Sequence, residues 1–92
     1  MLNWTHYDIS TNEDAEAMRR NFHATAHTAA ALDTEDTGYH NILSRMFLFQ
    51  FGWYDEDSKQ GWTYAVDLQR TPLLANKVIT VWHALVKTLP IY

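Results

Sequence analysis

The stretch RMFLFQFGWYDEDSKQGWTYAVDLQR, Arg45–Arg70, decides the fold. Phe47, Phe49, Phe51 and Trp53 fall on one side of a period-2 pattern, and Trp62, Tyr64, Val66 and Leu68 repeat it on the return run. Thr63, Ala65, Asp67 and Gln69 alternate with the second set. Successive side chains of a strand point to opposite faces, so the two runs are the arms of a β-hairpin, near 45–54 and 61–69, with one face of large apolar rings. Setting Trp53 opposite Trp62 also sets Phe51 opposite Tyr64, Phe49 opposite Val66 and Phe47 opposite Leu68. Such cross-strand pairs contribute about 0.2–1 kcal/mol each. The same register places the turn at Glu56–Lys59, or shortens it with a bulge near Gly61.

On the N-terminal side, Ser10 followed by Glu13 fits a capping box, with Thr11 and Asn12 as alternative caps. Glu13, Asp14 and Glu16 suit the positive end of a helix dipole. Ala15, Met18, Phe22, Thr25, Ala29 and Leu32 recur at spacings of three and four, and the alanines favour helix, so residues 10–32 predict a helix over about 12–32. Residues 33–44 read as a loop around Gly38, with a helical turn near Asn41–Ser44. Beyond the hairpin, Thr71 suits an N-cap, Pro72 the first helical position and Pro90 a stop, which delimits a second helix over about 72–89. Leu74, Val78, Val81, Trp82, Leu85 and Leu89 form its apolar stripe, widened by Ile79 and Val86. Residues 2–9 read as a short strand whose imperfect alternation places it at an edge. The order β-α-β-β-α predicts an α+β domain. Its small antiparallel sheet, the hairpin plus the N-terminal edge strand, is covered on one face by both helices.

Ninety-two residues hold one domain, 1–92. A chain this short buries only about 60–65% of its extended surface, so it needs large core side chains. Four Trp, five Tyr and four Phe supply them, each worth roughly 2–3 kcal/mol when fully buried. There is no cysteine, which excludes disulfides and thiolate zinc sites. The start MLNWTHYDIS lacks a basic n-region and an apolar h-region, and no apolar run approaches the ~20 residues of a membrane span. A soluble, cytoplasmic protein is the expectation. The net charge is −4, and Arg19 with Arg20 is the one basic pair, so direct nucleic-acid binding is disfavoured. The acids gather at Glu13–Glu16, Asp33–Asp36 and Asp55–Asp57, a distribution that suits a basic protein surface.

Few constellations point to chemistry. His23 and His27 are four apart in the predicted first helix, a spacing that can chelate zinc, copper or nickel, but HATAH lacks the glutamate of HExxH. Two histidines on a solvated helix face is the simpler reading, and no metal is expected. DTEDTG, from Asp33, is similar to the opening of an EF-hand loop, yet Ser44 stands where the bidentate glutamate belongs. DEDSKQG, from Asp55, fails because Lys59 puts a cation among the ligands. His6, His40 or His83 could serve a general acid–base enzyme, with His83 expected to be partly buried beside Trp82. There is no GxSxG elbow and no phosphate cradle. Trp4, Tyr7, Tyr39, Tyr54 and Tyr92 do not fit the predicted inner faces, and exposed aromatics are enriched at recognition surfaces. Self-association through a strand edge, as a homodimer, is a second use for them.

Compact, acidic, cysteine-free, aromatic-rich and without a catalytic motif, the chain resembles small phage-encoded or mobile-element inhibitors such as anti-CRISPR proteins. The resemblance is one of type and carries over no residue. It implies a non-enzymatic, cofactor-free protein-binding module that blocks a larger protein with a basic surface. The candidate contact residues are the hairpin tip, Tyr54, Asp55, Glu56 and Asp57, and the acidic segment Asp33, Glu35, Asp36 with Tyr39. The alternative is a dimeric small-molecule-binding or cofactor-independent enzyme domain, using a histidine in an aromatic-lined pocket. A large enclosed cavity beside His23, His27 or His83 would favour it.

Overall fold

The hairpin forms in the expected register in a computed structural model, which describes residues 2–36 and 46–92. Strands β3 (Met46–Asp55) and β4 (Gln60–Asp67) pair antiparallel, with Trp53 opposite Trp62, Phe51 opposite Tyr64 and Phe49 opposite Val66. Residues 56–59 make the turn, and Lys59 closes it with φ 58°. Pairing ends at Leu48 and Asp67, so Leu68 lies beyond the ladder.

Around the hairpin the chain adds β1 (Asn3–Ile9), α1 (Asn12–Ala24), β2 (Ala29–Asp36) and α2 (Pro72–Val86). The order in the sheet is β1-β4-β3-β2. β2 is antiparallel to β3, but β1 runs parallel to β4, so the sheet is mixed where a wholly antiparallel one was expected. The cause is the connection. α1 crosses over one sheet face between β1 at one edge and β2 at the other, and a helical crossover returns the chain in the same direction.

The fold is α+β, with both helices on one face, as the sequence predicted. The first helix, however, ends at Ala24 and not near residue 32, and residues 29–36 form a strand where a helix end and a loop were expected. Tertiary contacts override the alanine propensity here. The Thr25 hydroxyl donates to Asn21 O at 2.9 Å, closing the last turn, and accepts from Trp53 Nε1 at 2.9 Å. Thr28 N then donates to the carbonyl of Tyr54, which starts the pairing of β2 with β3. Ala29 and Ala30 are fully buried there, small enough to lie beside Trp53. The cap of α1 is Thr11 with Asp14, not Ser10 with Glu13: Asp14 N donates to Thr11 Oγ1, and the Asp14 carboxylate accepts from the N–H groups of Ser10 and Thr11. Thr71 precedes α2 as expected, although its hydroxyl donates back to Asp67 O rather than capping, and the helix ends at Val86, short of residue 89.

Ile9, Phe49, Phe51, Trp53, Tyr64 and Val66 form the floor of the core. Met18 and Phe22 of α1 and Val78, Trp82 and Val86 of α2 close over them. Phe22 meets Trp53 edge-on at 5.1 Å between ring centroids, and Trp82 packs on Phe49 and Phe51 at 5.8 and 5.2 Å. With the rings committed to one face, the other face of the sheet is left without a covering helix.

Candidate protein-interaction surface

The uncovered face is built from alternate residues of all four strands. Strand register sets them in rows: Trp4, Gly61, Tyr54 and Ala29, then His6, Thr63, Gly52 and Ala31, then Asp8, Ala65, Gln50 and Asp33. Asp67, Leu48 and the Glu35 position follow. One end of the face is therefore aromatic, the middle is a floor of small side chains, and the far end is acidic.

Each part has a local cause. The Trp4 indole lies on Gly61, where any β-carbon would strike the ring, and meets Tyr54 edge-on at 6.0 Å. Trp4 is still 48% exposed, so a large apolar surface is held in place while facing water. Gly52 lacks a side chain because β3 passes too close to the Trp62 carbonyl of β4. Beside Gly52 a hollow of about 100 Å³ opens, lined in part by Ala31, Asp33, Gln50 and Thr63. Small-molecule pockets run from about 300 to 1,000 Å³, so this one suits a single inserted side chain. At the acidic end Asp8 and Asp33 are exposed, whereas Asp67 spends one carboxylate oxygen on the N–H groups of Gln69 and Arg70, at 2.8 Å each. Arg70 stands beside Asp8, Leu48 and Asp67, lining a shallow groove with them.

The predicted contact residues separate. Tyr54 lies on this face at its aromatic end, half-buried. Asp55 turns inward: its carboxylate accepts from Ser58 N at 3.1 Å and Thr28 Oγ1 at 3.2 Å and is buried. The Ser58 hydrogen bonds hold its carboxyl below the ordinary carboxylate value, against the opposing effect of burial, with Thr28 adding to the lowering. Glu56 and Asp57 are exposed on the turn. Asp33 and the backbone positions of Glu35 and Asp36 belong to β2, four to seven residues from the tip row, or about 13–23 Å along a strand. The tip and the acidic segment thus mark opposite ends of one face. Tyr39 and His40 lie outside the described residues, as do Gly38 and the helical turn near Asn41–Ser44. Sequence reasoning missed Gly52, Gly61 and Asp8 as members, and it named Trp4 among the aromatics that fit no inner face without placing it beside them. A tryptophan and a glycine in adjacent strands are a signal only once β1 is known to pair with β4.

Among the described histidines, His83 lines a wide concavity with Ile79, Thr80, Ala84 and Lys87, but it is open to solvent and not enclosed. His27 is past the end of α1, so it is not one helical turn from His23; its ring stacks on Phe22 at 4.1 Å and helps close the core. His83 is exposed on α2, not partly buried beside Trp82. Among the described residues no group of three or more His, Asp or Glu gathers for a metal. No helix there is long and apolar enough to cross a membrane. Among the described histidines His6 makes a relay, with Nδ1 2.8 Å from Thr63 Oγ1 and Nε2 3.1 Å from Asp8 Oδ1. The chain hydroxyl–imidazole–carboxylate has the connectivity of a nucleophilic triad. Its carboxylate side chain is 82% exposed, however, and an ion pair in water contributes only about 0–1 kcal/mol. The relay orients His6 on the uncovered face.

A second concavity, about 270 Å³, separates β1 from α1 and is lined by Tyr7, Asp8, Ile9, Asp14, Ala17, Asn21 and Tyr64. Tyr7 stacks on Tyr64 at 5.2 Å, and Asn21 Nδ2 donates to the Tyr64 hydroxyl at 2.7 Å. Burial pushes the Tyr64 hydroxyl pKa up. This is an open groove at the rim of the core, not a chamber.

No family model, curated protein or solved structure matches this chain.

Proposed function

We propose that the chain is a non-enzymatic protein-binding module that docks through its uncovered sheet face onto a larger protein with a basic surface. The observation that carries this reading is the layout of that face: a seated but half-exposed Trp4 beside Tyr54, a hollow sized for one side chain at Gly52, and exposed carboxylates at Asp8 and Asp33. Interfaces draw most of their energy from a few aromatic anchors and desolvated pockets, and charge placed around them steers association. A basic groove that otherwise holds nucleic acid fits this charge, and occupying it would make the module an inhibitor, the activity implied by the resemblance in type.

The test is affinity capture from the native host with three baits: wild type, Trp4→Ala with Asp33→Lys, and Glu13→Lys on the exposed side of α1. A basic protein retained by wild type and Glu13→Lys, lost with the double variant and released by salt, is the expected result. Retention that ignores the sheet-face changes would remove this face from the reading.

A further inference from the structure

The two edges of the sheet are treated differently. β2 is paired along its outer side by the C-terminal residues: Ala30 N donates to Pro90 O and Leu32 N to Tyr92 O, both at 2.8 Å, and Tyr92 N donates to Ala30 O at 3.0 Å. β1 has no such cover among the described residues and pairs with β4 alone. Asn3 N donates to Lys59 O at 2.8 Å, so Asn3 and, by the alternation of a ladder, Thr5, Tyr7 and Ile9 turn their backbone groups toward β4. Trp4, His6 and Asp8 turn theirs outward. The strand is seven residues long and contains no proline, no lysine and no bulge, three of the devices by which edges are ordinarily blocked, and its one charged side chain, Asp8, is held by His6.

We propose that this edge joins two copies of the chain, β1 pairing antiparallel with β1 about a two-fold axis through His6. The outward residues are symmetric about His6. His6 then faces His6, and Trp4 of each copy faces Asp8 of the other, so every outward residue enters a pair that exchanges both of its backbone bonds. Shifting the strands by two residues leaves an outward residue of each copy unpaired. The side chains agree with this register. In each copy His6 lies 3.1 Å from its own Asp8, so the two imidazoles at the axis are flanked by two carboxylates. The helices do not obstruct the approach, because the groove between α1 and β1 holds α1 back from the edge and leaves Tyr7 47% exposed. The product is an eight-stranded sheet whose two uncovered faces run together, with both Trp4 indoles near the seam. A self-matching edge selects a second copy over a foreign strand. The proposal stands apart from the partner reading, which needs only one copy.

The chain has no cysteine, so His6→Cys places a single thiol at the axis. Directly bonded antiparallel pairs have Cα atoms about 5.5 Å apart, within the roughly 4.4–6.8 Å a disulfide spans. Oxidised His6→Cys should run as a covalent dimer, while Asp33→Cys, exposed on β2, should stay monomeric. Wild type should sediment at twice its 10.7 kDa, and His6→Pro, which removes an outward N–H along with the exposed imidazole and its bonds to Thr63 and Asp8, should sediment as a monomer with an unchanged circular dichroism spectrum. Wild type that stays monomeric up to about 1 mM, the weak end of specific association, overturns the proposal. So does a dimer that forms no His6→Cys cross-link. If His6→Pro unfolds, the wild-type mass and the cross-link still decide.

Discussion

Alanine at Gly52 should destabilise the protein and alanine at Gly61 should be nearly neutral, although the two glycines lie in adjacent rows of the same face. Neither has a positive φ. Replacing glycine by alanine where the backbone already suits it stabilises a protein by about 0.4–1 kcal/mol, through the unfolded chain. At Gly52 the new β-carbon would fall well inside van der Waals contact of the Trp62 carbonyl oxygen and 3.0 Å from Thr63 Cα. Both obstacles are backbone of the neighbouring central strand, so no rotamer change relieves them. Overpacking of this kind costs about 1–3 kcal/mol, which outweighs the entropic gain and leaves a net loss of about 1–2 kcal/mol. At Gly61 the obstacle is the far end of the Trp4 ring, including Cη2 at 2.9 Å, and an edge side chain can swing away. Losing its contact with Tyr54 costs about 0.5–1.5 kcal/mol, which roughly cancels the gain. The two variants should differ by about 1.5 kcal/mol, or roughly 6–12 °C in melting temperature for a domain of this size. Thermal melts by circular dichroism measure the gap, and a red shift of tryptophan emission in Gly61→Ala reports the released Trp4. Gly52→Ala equal to or more stable than Gly61→Ala would refute the close passage of β3 and β4, and with it the hollow beside Gly52.

Three further outcomes follow from single contacts. Lys59 holds a left-handed backbone that costs a non-glycine residue roughly 1–2 kcal/mol; Lys59→Gly should recover about 0.5–1 kcal/mol after glycine's own entropic cost, seen as a melting temperature raised by several degrees. Tyr64→Phe removes the oxygen that Asn21 Nδ2 donates to, in a half-buried position, and should cost about 0.5–1.5 kcal/mol in urea denaturation without changing the m-value. Asp14 and Asp55 are both held below the ordinary carboxyl value of 3.8, each chiefly by hydrogen bonds, from Ser10 and Ser58 respectively. A lowered folded-state pKa contributes stability in full above 3.8 and loses it as pH falls further. Melting temperature should therefore drop below about pH 4, and less steeply in Asp55→Asn; stability that rises on acidification would contradict the two networks.

The hairpin was legible because its evidence is local and redundant. Period-2 alternation, the Trp53–Trp62 register and the turn at 56–59 are different readings of one contiguous stretch, and each constrains the others. β2 was illegible for the opposite reason. Ala29, Ala30, Ala31 and Leu32 have helix propensity and continue the spacing of α1, and what makes them a strand is Trp53, more than twenty residues away. A large ring on β3 needs small neighbours on β2, and Ala30 directly opposite Trp53 supplies one. Once β2 takes the far edge, the crossover fixes β1 as parallel to β4, so a single missed strand carried the error in sheet type with it.

The same non-local dependence governs the surface. Acidic runs are visible in any sequence, and the hairpin tip drew notice on that ground, yet Asp55 serves the turn by accepting from Ser58 and Thr28. Trp4 stands out in the sequence only as an aromatic without a place on the inner faces, because its position depends on a parallel pairing that sets it beside Gly61. Burying rings on one side of a four-stranded sheet uses both helices, and the opposite side must then meet water. A chain selected only for solubility would place charges throughout that side. Here the charges stand at one end, the middle is Ala31, Gly52, Thr63 and Ala65, and a tryptophan is packed where it stays half-exposed. Holding an indole in water is unfavourable by its exposed apolar area at about 25 cal/mol per Å². That free energy is recovered when another surface covers the ring, which is why Trp4 is the residue that most favours the proposed use of this face in contact.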